Sequence, residues 1–168
     1  MKSDQLSEWI AIVANVGVIL GIAFLAMEIN QSTKATAAAA SDSVTSGYFE
    51  LSLPIITDTE FARVFALGLY QPDALNNDEA VQFSMWLRQL VNQHLRIKEF
   101  TRRGLFSETF EGGDVQQLAR ILSTPGGQLF FDGNRDVMPQ ELLVDLEPYM
   151  GQMLESDFTL GRSWRPAE

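Results

Sequence analysis

Residues 9–27 read WIAIVANVGVILGIAFLAM, a run whose only strongly polar side chain is Asn15 and which Glu8 and Glu28 bracket. A helix rising ~1.5 Å per residue needs about 20 residues to cross the hydrocarbon layer, so this run is just long enough to span. A buried core helix of a soluble protein is usually shorter and keeps a polar face, and here no polar face exists. A cleaved secretory leader fits less well. The preceding MKSDQLSE is net acidic, polar EINQSTK follows the run, and the Ala-x-Ala at 38–40 lies too far downstream. The expectation is an uncleaved transmembrane helix over 9–29, preceded by a short segment over 1–8. Lys2 and Lys34 flank it with acids near both, so the positive-inside rule leaves its orientation open.

Outward from the span the chain continues as NQSTKATAAAASDSVTSGYFEL, rich in Ala and free of Pro until Pro54. Ala is the strongest helix former, and Ala37, Ala40, Val44, Tyr48 and Leu51 recur at spacings of three and four. The spacing predicts a helical stalk over 30–53, ~36 Å long, which Pro54 should break. Thr57 with Glu60 then reads as a capping box, opening a helix to about Tyr70. Asn77 or Asp78 would cap a long helix reaching Arg103, with Ala80, Phe83, Leu87, Leu90, His94 and Ile97 on one apolar stripe and Gly104 just past its end. Ser107 should cap another helix that Gly112-Gly113 weakens or splits. Thr124-Pro125 should open a short helix through Phe131, and Pro139 one that Pro148 ends. No alternating strand pattern and no repeat occurs. The predicted fold is all-α: a transmembrane helix, a stalk, a helical bundle over 54–150 and a C-terminal tail over 151–168.

The composition narrows the chemistry. The chain has 168 residues, a formal net charge of −10, no Cys and one His. Acidity disfavours general nucleic-acid binding, because phosphates are repelled. Without Cys there are no disulfides, thiolate metal sites or Cys nucleophile, and one imidazole cannot build a multi-His metal centre.

Three stretches resemble a group of uncharacterised bacterial single-span membrane proteins. The anchor closes in Leu25-Ala26-Met27-Glu28-Ile29-Asn30-Gln31-Ser32-Thr33, similar to the group's acidic residue, Ile or Leu, then Gln-Asn-Thr. Arg102-Arg103-Gly104-Leu105-Phe106-Ser107 follows, and then Leu122-Ser123-Thr124-Pro125-Gly126-Gly127 continuing through Phe130-Phe131 to Arg135 and Met138-Pro139. Ser32 stands where Asn is usual, and Phe130 and Phe131 where Trp is common. The resemblance implies an anchor plus a helical domain in the bacterial inner (cytoplasmic) membrane and carries over no catalytic residue.

Within the span Gly17 and Gly21 form a GxxxG pattern, sharing a face with Ile10, Ala14, Phe24 and Glu28, while Asn15 points to the other side. Small residues let helices approach closely, so Ala14, Asn15, Gly17, Gly21 and Glu28 are the expected helix–helix contacts in the membrane. Glu28, at the end of the span, reads as an interfacial acid rather than an ion site. Arg96, Lys98, Arg102 and Arg103 could touch lipid phosphates or an acidic partner, or simply complement the dipole at a helix C-terminus. His94, on an apolar stripe and without a helical metal pair, reads as a core histidine. Ser123–Gly127 lacks the spacing of a phosphate loop and reads as a cap.

The leading expectation is therefore a non-enzymatic, membrane-anchored helical protein without metal or cofactor. It would act by contact, with itself or with other membrane-protein subunits, with lipid around 9–29, and without nucleic acid. Two others compete with it. One is a sensor with an apolar pocket among Phe83, Trp86, Leu90, Phe106 and Phe110. The other is an enzyme using acid pairs such as Glu108/Glu111, Asp132/Asp136 or Glu141/Asp145.

Overall fold

The computed structural model describes residues 2–150. The tail over 151–168, with Trp164, lies outside the described residues, as does the side chain of Ile10. Among the described residues there are six α-helices and no strand: α1 (Lys2–Thr57), α2 (Thr59–Tyr70), α3 (Asn77–Arg102), α4 (Glu108–Leu122), α5 (Pro125–Asn134) and α6 (Gln140–Leu146). Short 3-10 turns over Pro72–Ala74 and Arg135–Val137 join some of them. The fold is all-α, as the sequence predicts. The chain divides into two compact units, residues 1–41 and 42–168.

The first unit is the N-terminal part of α1. From Val13 to Ile29 every side chain is exposed, Phe24 at 71% and Met27 at 72% among them. This helix is long and apolar enough to cross a membrane. Helix already begins at Lys2, so α1 includes residues 2–8.

The second unit begins at Asp42, well before the expected break at Pro54. Residues 42–53 are thus not a free stalk. Val44 is buried, and Tyr48 and Leu51 pack against the core. Pro54 does not end the helix either. It lies in the last turn of α1, where a missing N–H costs only one rung, and its own carbonyl still accepts from the Asp58 N–H at 3.0 Å. The stop is Asp58, extended at φ −119°, whose carboxylate accepts from the N–H groups of Glu60 and Phe61 and so caps α2. Thr57 cannot be that cap, because its hydroxyl is turned back to donate to the Leu53 carbonyl.

α3 begins one residue earlier than expected, with Asn76 as cap. Its side chain accepts from Glu79 N–H at 3.0 Å while Glu79 accepts from Asn76 N–H at 2.9 Å, a reciprocal capping box. Gly104, at φ +72°, turns the chain after α3 as anticipated. Ser107 caps α4, and α4 then runs unbroken through Gly112-Gly113. Two interior glycines cost about 1 kcal/mol each, and burial of Val115, Leu118, Ala119 and Leu122 on one face outweighs that.

The core of this unit joins Val64 and Leu69 of α2, Phe83, Leu87 and Leu90 of α3, and Leu118 and Leu122 of α4. Phe130 and Phe131 of α5 and Leu142 and Leu146 of α6 complete it. Glycine permits the closest approaches. A Cβ on Gly126 would fall 1.7 Å from the Gly68 carbonyl oxygen, and one on Gly68 would strike the Phe83 ring. Thr124 caps α5, accepting from Gly127 N–H at 3.0 Å, so Ser123–Gly127 is a cap and a packing joint between α2 and α5. α5 continues to Asn134, one turn beyond the expected end.

Candidate functional site

Three helices of the second unit converge on one buried polar cluster. The apolar stripe of α3 carries His94 into the interior, where it is 1% exposed. Its Nδ1 lies 2.5 Å from Oδ2 of Asp114, which α4 supplies directly after its glycine pair. The other carboxylate oxygen of Asp114 accepts a hydrogen bond from the Tyr48 hydroxyl, on residues 42–57 of α1. His94 Nε2 is buried and has no hydrogen-bond partner.

Burial governs the charges. Loss of water disfavours the charged form of each group, so His94 is pushed down to about 4 and the Asp114 carboxyl up to about 6. At neutral pH the imidazole is therefore neutral and Asp114 ionised. Nδ1–H donates to Oδ2, Tyr48 donates to Oδ1, and Nε2 keeps a lone pair. Lys98 and Asp145 act on the ring in opposite directions and are ion-paired with each other.

Two further bonds hold the same stretch of α1. Gln93, 3% exposed, donates Nε2–H to the Val44 carbonyl at 2.8 Å, and Trp86 donates its indole N–H to the Leu51 carbonyl at 2.9 Å. Gly47 makes room for the first, because a Cβ there would lie 2.4 Å from the Gln93 carboxamide oxygen. Trp86 is braced from behind by Phe65, edge to face at 4.7 Å.

Sequence reasoning placed His94 in the core but missed Tyr48 and Asp114. Helical spacing reaches only positions one turn away on α3, whereas the partner of the imidazole comes from the next helix. The available signal was an unpaired histidine on an apolar stripe, which requires a polar partner somewhere. The imidazole is enclosed in the core, as expected of a core histidine, and it has found a polar partner there.

The cationic group at the end of α3 finds its acids within the chain. Lys98 pairs with Asp145, Arg102 with Glu99 at 3.2 Å and Glu141 at 2.7 Å, and Arg103 with Glu99 at 2.7 Å. Three of the four residues expected to meet a partner or lipid phosphate are thus engaged internally. Glu141 and Asp145, read in the sequence as a pair, each serve a different cation. Arg96 is exposed and lines an open cleft of about 480 Å³ with Leu51, Pro54, Phe61, Met85 and Trp86.

The five residues expected to share one apolar pocket do not. Phe83 and Leu90 are core, Trp86 walls the cleft just described, and Phe106 lines a separate cavity of about 920 Å³ with Lys98 and Tyr149. Phe110 stacks on Phe106 with ring centroids 5.1 Å apart and is half exposed. In the first unit, Ala14, Asn15, Gly17, Gly21 and Glu28 are all exposed, and a Cβ on either glycine would meet nothing within 4 Å. Among the described residues no cluster of three His, Cys, Asp or Glu could hold a metal. No family model, curated protein or solved structure matches the chain.

Proposed function

We propose that this chain is a non-enzymatic single-pass protein of the bacterial inner membrane, one of the single-span group that its sequence resembles. It acts by protein–protein contact, either as a homo-oligomer or as an accessory subunit of a membrane complex. The observation that carries this reading is the exposure of Val13–Ile29, an apolar surface that suits lipid or other membrane helices. Gly17 and Gly21 leave the open face that close helix approach requires, and Asn15 offers a hydrogen bond on the other side.

The test is the native mass and subunit content of the full-length protein extracted gently from its membrane. A discrete multiple of 18.8 kDa is expected for self-assembly, and a larger particle containing other proteins for an accessory subunit. A monomer overturns both. For the homo-oligomer, Gly17→Ile with Gly21→Ile should lower the mass, and an unchanged mass removes the glycine face as the contact.

A second reading, a ligand-binding helical domain, is favoured by one observation: the cleft walled by Leu51, Met85 and Trp86, whose rim carries the exposed Arg96. Quenching or enhancement of Trp86 fluorescence by an apolar anion, abolished in Arg96→Gln, would support it. No response in the wild type would end it.

A further inference from the structure

We propose that Tyr48, His94 and Asp114 form a one-proton binding site that fastens residues 42–57 of α1 to α3 and α4. The cluster holds three titratable side chains from three helices, yet carries a single buried negative charge at neutral pH. The carboxylate accepts two hydrogen bonds, from Nδ1–H of His94 and from the Tyr48 hydroxyl. Those bonds stabilise the charge without cancelling it. The charged groups that reach the imidazole are Lys98 on α3 and Asp145 on α6, which are paired with each other, while the Asp114 carboxyl is raised by burial.

One added proton neutralises the cluster, and there are two places for it. On Nε2 it would create an N–H donor that is buried and has no acceptor, a costly arrangement. On Oδ1 of Asp114 it has a ready partner: the carboxyl O–H donates to the Tyr48 oxygen, whose own hydrogen turns away, while Nδ1–H of His94 continues to donate to Oδ2. The proton therefore belongs on the carboxyl. His94 remains a neutral Nδ1–H imidazole throughout, its lone Nε2 acting as the barrier that keeps the second seat closed.

The linkage has a definite sign. A carboxyl whose folded-state pKa is raised to about 6, against the ordinary value of 3.8, binds its proton more tightly in the folded state. Its stabilising contribution is present at low pH and is lost as the pH rises through 6. Depression of the His94 pKa works oppositely, and would reduce stability on acidification from roughly 6.5 toward 4. The two must be separated by comparing variants that share the histidine.

The experiment uses the full chain in nonionic detergent micelles, with denaturant unfolding of the domain followed by circular dichroism at pH 7.5 and pH 5. From pH 7.5 to 5, the folding equilibrium constant of the wild type should rise about tenfold relative to that of Asp114→Asn, which keeps shape but cannot take the proton. A ratio independent of pH overturns the proposal. Because His94 is the only histidine in the chain, its imidazole ¹⁵N resonances give a second readout on the wild type alone. A neutral Nδ1–H tautomer at both pH values is expected. An imidazolium forming between them would place the proton on Nε2 and overturn the assignment.

Discussion

Residues 13–29 and residues 42–57 lie on the same helix, yet they dispose of their apolar side chains in different ways. In the first stretch Val, Ile, Leu, Phe and Met are exposed on every side. In the second, Val44 is buried and Tyr48 and Leu51 pack on the core, while Asp42, Thr45, Ser46 and Glu50 are exposed. The lesson is that helix propensity sets neither environment. A stretch with no polar face suits an apolar solvent, whereas one with an apolar stripe can bury that stripe in its own domain, as residues 42–57 do through Val44, Tyr48 and Leu51 while Phe49 and Ile56 stay exposed.

The sharpest way to break this contrast is to make the same substitution in the exposed stretch and in the core on which residues 42–57 pack. Leu87→Ala, at a fully buried position, should destabilise the helical domain by about 3 kcal/mol in denaturant unfolding. Leu20→Ala, at a side chain 64% exposed, should leave that unfolding midpoint unchanged. Equal effects would show that the N-terminal apolar stretch contributes to the domain's stability. The glycines give a parallel test with a slightly smaller effect. Gly126→Ala forces a Cβ onto the Gly68 carbonyl and should cost roughly 2–3 kcal/mol, while Gly17→Ala, with nothing nearby, should cost the domain nothing.

Polar contacts sharpen the contrast within the domain itself. Tyr48→Phe removes a hydrogen bond to a buried carboxylate and should destabilise by about 2 kcal/mol at pH 7.5, with a smaller loss at pH 5 where Asp114 is protonated. The smallest effect belongs to the surface. Arg103→Ala breaks an exposed pair with Glu99 and should shift stability by no more than about 0.5 kcal/mol, and less in high salt. An Arg103 effect as large as that of Tyr48 would mean that the cationic end of α3 holds more than solvent-screened pairs.

Much of the helical layout was legible because it depends on neighbours in sequence. Ser107, Thr124 and Gly104 act within a turn or two of their own positions, and each was found where its chemistry predicts. Local rules misjudged the places where two of them competed. Thr57 and Asp58 both suit an N-cap, and Asp58 prevails because Thr57 is still inside α1, its hydroxyl bonded backward. Pro54 and Gly112-Gly113 are ordinarily helix breakers. Each is overridden where the surrounding helix is packed, through Leu51 and Trp86 in one case and Val115 and Leu118 in the other.

By itself the sequence determined the elements: an all-helical chain, an apolar N-terminal run without a polar face, and the apolar stripe of α3 that takes His94 inside. These follow from periodicity and hydrophobicity, which are properties of contiguous residues. Only the tertiary structure decided that residues 42–53 belong to the domain instead of a free stalk, and that Lys98, Arg102 and Arg103 meet acids of their own chain. It also decided that His94 finds Asp114 and Tyr48, which are 20 and 46 residues away from it in sequence. The physical reason is clearest for His94. A buried polar group must be paired, but the partner is chosen by which helix faces pack together, and that choice is made by the whole core at once.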